Sequence, residues 1–316
     1  MPNRSWWANP VLRQVLLGTY SDTSPLAYLR GHSDILRAIF LRLFDAWRAH
    51  IVLELRGYVR PQWIRRVFHE MPDDEPGPCF VDFPPPLMHV VDGREEPLPF
   101  HVNMMPFIMG DIETLPESCR RYFPIVRECL RRLYSREDSE VGYLTIHEGV
   151  VPAGTSQRRG GLHVEISGGH GYHERLEDTH WGGGHAVEHQ LMGGIFMAST
   201  VANSCGVWNV FVEDSRDIMG PLGDMEHFRD VLDETAHGYL ELEANELIWM
   251  TDETPHESLP LPTAQFRQYF RLVTSNVSHW YADHSTPNPL GTQPTASIIH
   301  GPKFAVDAAL SPAAQL

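Results

Sequence analysis

The chain has 316 residues, 42% of them hydrophobic, enough for one large domain or two modest ones around a sizeable core. A formal net charge of −16 repels nucleic-acid backbones and anionic membranes, and no Lys/Arg block that would track phosphates occurs. No run of about 18 apolar residues is present, and the opening MPNRSWWANP lacks the apolar core of a secretory signal.

Cys79, Cys119, Cys129 and Cys205 are scattered, with no CxxC pair. They read as reduced thiols, so the expected location is cytoplasmic, with neither nucleic acid nor membrane as partner.

In chain order, 33–49 reads as an amphipathic helix. Ser33 or Asp34 can cap it, and Ile35, Ile39, Leu43, Phe44 and Trp47 recur at three- and four-residue steps. A second helical piece follows Pro61. Residues 71–100 are rich in proline and acids and read as an extended stretch wrapping a core. Residues 113–135 return to helical periodicity, with Tyr122, Ile125, Val126, Leu130 and Leu133 on one side. Residues 1–140 are therefore expected to be a helical and Pro-rich covering region over one face of a sheet.

From 141 the texture changes to short runs separated by turn signals. Candidate strands are 141–150, 162–166, 194–201, 206–214, 239–243, 246–250 and 266–275, with a short helix or folded loop over 224–237. Seven or eight short strands suit a sandwich or jelly-roll barrel. The expected class is mostly β with helical cover (α+β). The core spans 141–284, and an extended tail, poorly ordered or draped on the body, spans 285–316.

Within that core, Gly160-Gly161-Leu162-His163-Val164-Glu165-Ile166 alternates. His163 and Glu165 share one strand face, and Leu162, Val164 and Ile166 the other. An imidazole beside a carboxylate on one face suits a metal pocket. With 18 His and 41 acids, about two His-x-acid triplets arise by chance. There are two, so context must decide. His32-Ser-Asp34 is explained by helix capping.

The interval 167–193 is rich in Gly and His. His185-Ala-Val-Glu-His189 has the spacing of two imidazoles on one helical face, compatible with a second metal site. The glycines favour instead a mobile lid over the barrel mouth, where His185, Tyr172 and Trp181 meet substrate.

The strand Phe266–Leu272 places Arg267, Tyr269 and Arg271 on one face, with Phe266, Phe270 and Leu272 opposite and Gln268 an exception. Two inward arginines require an anion; otherwise the row faces solvent. Just upstream, His256 begins a short strand after a turn.

His163-Val-Glu165, then His256, then Arg267, in that order and strand context, resemble the iron(II)/2-oxoglutarate-dependent oxygenases. The resemblance covers about 140–280 and extends to no particular subfamily. It departs from the common pattern in having Glu for Asp and in the Gly/His-rich segment. It implies a double-stranded β-helix and three metal ligands, His163, Glu165 and His256. It also implies the cofactors Fe(II) and 2-oxoglutarate, with dioxygen and a small molecule as partners.

Two imidazoles and one carboxylate leave open positions on the ion for a keto acid and dioxygen. The keto acid's far carboxylate then needs a guanidinium. Under the resemblance, its spacing from His256 favours Arg267 for that clamp. Arg271 would hold an acidic group of the substrate or serve as the clamp itself, and Tyr269 is a candidate hydroxyl donor. The implied reaction oxidises a C–H bond of a small, carboxylate-bearing metabolite. The rivals are a cupin-type metal enzyme without keto acid, though the cupin His-x-His opening is absent, and a non-catalytic jelly-roll binding module.

Overall fold

A computed structural model describes residues 59–61, 79–133, 137–165, 180–187, 190–212, 225–235, 239–274 and 276–300. The helices expected over 33–49 and after Pro61 lie outside the described residues. The first strands are β1 (Val59–Pro61), β2 (Met88–Val91), β3 (Arg94–Pro97), β4 (Phe100–Ile108) and β5 (Val141–Val151). Then come β6 (His185–Val187), β7 (Gln190–Met192), β8 (Ile195–Ser199), β9 (Cys205–Trp208), β10 (Val210–Val212) and β11 (Tyr239–Glu241). The last are β12 (Ile248–Met250), β13 (His256–Ser258), β14 (Gln265–Val273), β15 (His279–Tyr281) and β16 (Ser297–Ile299). The helices are α1 (Glu117–Arg120), α2 (Phe123–Leu130) and α3 (Arg229–Thr235).

Strands thus dominate, with few helices among the described residues. A five-stranded antiparallel sheet runs β12-β8-β14-β5-β4, and a three-stranded one runs β11-β9-β13. The spine of the larger sheet is β14 on β5, paired from Gln265↔Val151 to Val273↔Tyr143. The edge strand β4 comes from the stretch that sequence periodicity assigns to extended and helical cover.

Side-chain alternation gives the large sheet two buried faces. Leu144, Ile146, Phe196, Ala198, Phe270 and Leu272 form one core with Tyr122, Ile125, Val126 and Cys129 of the helical segment. Tyr143, Ile195, Met197, Tyr269 and Val273 form the other, shared with Cys205 and Val207 of the small sheet. Leu162 and Val164 belong to a third cluster with Trp208, Val210, Phe228 and Leu232.

The helix α2 forms because Ile125, Val126 and Cys129 recur on one face and Pro124 sits in its first turn. It is held to the sheet by Glu148, a fully buried carboxylate that takes hydrogen bonds from Arg121 (2.5 Å) and the Tyr122 hydroxyl. Gln268, the polar exception on β14, joins them, its amide 3.3 Å from Glu148 and 3.1 Å from the Tyr122 hydroxyl oxygen.

At a bulge in β4, between Val102 and Met105, Met104 adopts φ +49°. The kink re-aims Asn103 and Met104 into the space between the sheets. Residues 285–300 drape over the body: Asn288 donates to the Pro106 and Thr114 carbonyls, and β16 pairs in parallel with β15. All four cysteines are free and buried. Among the described residues no helix is long and apolar enough to cross a membrane.

Candidate metal centre

The expected strand over 162–166 contracts to a single bridge. His163 pairs antiparallel with His256 of β13, through N–H···O contacts of 3.0 and 2.9 Å in both directions. Glu165 N–H donates to the Asp252 carbonyl at 3.0 Å. The alternation holds nonetheless: Leu162 and Val164 are buried in the core, and His163 and Glu165 line a cleft. Direct cross-strand opposition puts both imidazoles on one face, ring centroids 4.4 Å apart.

The ring nitrogens are oriented by backbone. His163 Nδ1 lies 2.7 Å from the Gly161 carbonyl, and His256 Nδ1 lies 2.9 Å from the Thr254 carbonyl. A carbonyl only accepts, so each Nδ1 carries a proton, and in the neutral ring the lone pair is then on Nε2. Burial, reinforced by the neighbouring His256, lowers the His163 pKa well below its ordinary value, so that ring stays neutral.

His256 Nε2 is 3.7 Å from Glu165 Oε1, and one donor atom from each of His163, Glu165 and His256 falls within 4.8 Å of the others. Two imidazoles and one carboxylate, on one face and pre-oriented, suit a divalent transition-metal ion. Glu165 also accepts a hydrogen bond from Arg271 Nη1.

The arginine row of β14 faces inward. Arg267 is 0% exposed and Arg271 6%, which excludes the solvent-facing alternative. Arg271 lines the cleft with Tyr269. Arg267 sits behind that wall: its Nε donates to Ser199 Oγ (2.8 Å), its Nη2 to Cys205 Sγ (3.2 Å), and its Cζ lies 5.3 Å from the Tyr269 ring centre. Its Nη1 is buried with no hydrogen-bond partner among the described residues.

Trp181 also lines the cleft, fixed because its backbone N–H donates to the Asp252 carboxylate at 2.7 Å. The same carboxylate accepts from Gly183 N–H at 3.1 Å. His185 does not join the site. It opens β6, is exposed and is not among the lining residues, so the described part of His185-Ala-Val-Glu-His189 is extended rather than helical. His170, His173 and His189 lie outside the described residues.

Sequence reasoning missed Arg158 and Arg159, which line the cleft, and Asp252, Ser199 and Cys205 around it. The Arg158-Arg159 pair just before Gly160 was a usable signal. The others carry none, because a single Asp, Ser or Cys acquires meaning only from its neighbours in space.

No family model matches the sequence, and no curated protein does. Solved structures do. EvdMO1 is similar at 9% identity and a TM-score of 0.28, over 60% of this chain and 38% of that one. This chain therefore spans well under half of EvdMO1. HygX from Streptomyces hygroscopicus, with nickel and 2-oxoglutarate bound, is similar at 10% identity and a TM-score of 0.30, over 52% of this chain and 69% of that one. EvdO2 from Micromonospora carbonacea var. aurantiaca, complexed with 2-oxoglutarate, is similar at 15% identity and a TM-score of 0.32, over 65% and 75%. Two of these three structures hold 2-oxoglutarate. At such TM-scores the likeness carries no argument, and the functional reading rests on the geometry above.

Proposed function

We propose that this protein is a non-haem iron(II)/2-oxoglutarate-dependent oxygenase that oxidises a C–H bond of a small molecule. The observation that carries the reading is the convergence of His163, Glu165 and His256 with both Nδ1 protons committed to backbone carbonyls. Iron(II) held there, with 2-oxoglutarate and dioxygen, supplies the oxidising power for such a reaction. The two-sheet core around the cleft supports reading 141–284 as a double-stranded β-helix.

The two imidazoles and Glu165 are the ligands in this reading. Arg267 suits the far carboxylate of the keto acid better than Arg271 does. Arg271 is already engaged with Glu165, next to the ligands. Arg267 lies four residues along the strand, about 13 Å at strand rise; each of the two arginines keeps one buried donor without a hydrogen-bond partner among the described residues, Nη1 of Arg267 and Nε of Arg271. A planar guanidinium there can grip a carboxylate through two parallel hydrogen bonds, and Ser199 fixes its angle. Tyr269 lies against Arg267, 5.3 Å from its ring centre to the Arg267 Cζ, and offers its hydroxyl at the cleft wall. Trp181 provides an apolar surface for substrate.

The test is oxygen-dependent release of succinate from 2-oxoglutarate by the iron-loaded protein. The parent is expected to turn over keto acid, and His163→Ala to lose that turnover while keeping its circular dichroism and cooperative melting. Arg267→Lys is expected to raise the KM for 2-oxoglutarate by about tenfold or more. Succinate at the parent rate from His163→Ala would overturn the ligand assignment. Oxygen uptake that ignores 2-oxoglutarate would favour a metal enzyme without keto acid.

A further inference from the structure

The cleft is more cationic than one keto acid requires. Arg158, Arg159 and Arg271 all line it, with Arg267 directly behind. Of the two carboxylates that line it among the described residues, Glu257 is occupied by Arg229, which donates to both its oxygens at 2.9 and 2.8 Å. A divalent ion and a keto-acid dianion cancel one another. Among the described residues that leaves Glu165 beside Arg158 and Arg271, in a largely buried space where uncompensated charge is costly.

Arg158 is the informative member. Its loop is pinned at both ends. Gly154 N–H donates to the Leu261 carbonyl (2.7 Å), Leu261 N–H donates to the Thr155 carbonyl (3.0 Å), and the Gln157 amide donates to the Arg267 carbonyl (3.1 Å). The side chain itself is sparsely used. Among the described residues it makes one long hydrogen bond, 3.4 Å to Asn103 Oδ1, and lies 5.6 Å from the centre of the Tyr269 ring that also faces Arg267. Most of its five N–H donors remain available in the cleft. Burial, then the charge of Arg271, lowers its pKa, as expected of a cation crowded by like charge.

We infer that the cleft holds two oxyanions at once: the keto acid, and a substrate whose own carboxylate or phosphate is gripped by Arg158 together with Arg271. Arg158 is then the residue that selects an anionic substrate. This inference rests on the keto-acid reading above.

Two probes test it: inorganic phosphate and acetate, each added to protein carrying Mn(II) and saturating 2-oxoglutarate. Binding beside the ion is read from paramagnetic relaxation of the 31P or 13C signal. The parent is expected to bind at least one probe saturably, and the stronger of the two names the oxyanion class. Arg158→Gln is expected to weaken that binding by about tenfold or more, with Arg158→Lys between, while the Kd for 2-oxoglutarate stays within about threefold. Absence of saturable binding of either probe to the parent, or equal binding by parent and Arg158→Gln, would overturn the inference. If the parent takes up no Mn(II), the metal reading fails by itself. Calorimetric titration of the same probes into metal-free parent and Arg158→Gln then decides the arginine's role, loss on substitution supporting it and equality overturning it.

Discussion

The imidazoles at 163 and 256 are oriented by carbonyls two residues upstream of each, Gly161 and Thr254. A backbone partner fixes the tautomer without introducing a second titrating group. His147 shows the opposite use of histidine. It faces His101 across β4 and β5, ring centroids 4.6 Å apart. Burial first, then the charges of His101, Arg158 and Arg267, lowers its pKa to about 4. Between that value and the ordinary 6.5, the unfolded chain holds more protons than the folded one. The contribution of neutral His147 to stability is therefore complete above about pH 6.5 and lost as pH falls toward 4. His147→Gln should flatten the loss of stability across that window, measured by urea denaturation at steps of pH. A slope identical to the parent's would contradict the burial argument.

Strands β5 and β14 serve both cores because successive side chains point to opposite faces. Glu148 and Gln268 use this to anchor the helical segment, while Tyr269 and Arg271 line the cleft on the other side with Arg267 behind them. Glu148 is fully buried and holds Arg121 and the Tyr122 hydroxyl, whose pKa rises through burial and that same carboxylate. Removing one partner of such a network strands the others. Glu148→Ala is expected to cost about 3–5 kcal/mol, read as a lowered urea midpoint. An unchanged midpoint would mean that apolar packing alone holds α2 to the sheet. The passage from β7 to β8 depends on glycine: Gly194 has φ +95°, and a Cβ there would lie 2.2 Å from Trp249 Nε1.

For the molecule as a whole, a chain of formal net charge −16 carries a cleft lined by arginines. The proposed metal site joins the 160–165 segment to β13, parts of the chain otherwise tied by a few backbone hydrogen bonds. An ion that binds only the folded state stabilises it by mass action, about 2.7 kcal/mol at a hundredfold excess over its Kd. Mn(II) or Ni(II) should therefore raise the Tm of the parent by several degrees and leave His256→Ala unmoved. An equal rise in both would place the ion elsewhere.

Much of this site is legible in the sequence alone. Leu162, Val164, Phe270 and Leu272 have to face a core, and His163, Glu165, Arg267, Tyr269 and Arg271 the opposite way, because a strand's period of two is a local property of the backbone. Helix α2 is legible through its apolar spacing for the same local reason. β4 is not: its apolar run FHVNMMPFI follows a proline-rich stretch, and it becomes a strand through pairing with β5. Likewise, nothing local states that His163 lies opposite His256, that Arg158 reaches Tyr269 from its loop, or that His185 turns to solvent. Those are register and packing decisions between segments distant in the chain. They are settled by which apolar faces bury one another, and only the assembled fold carries that information.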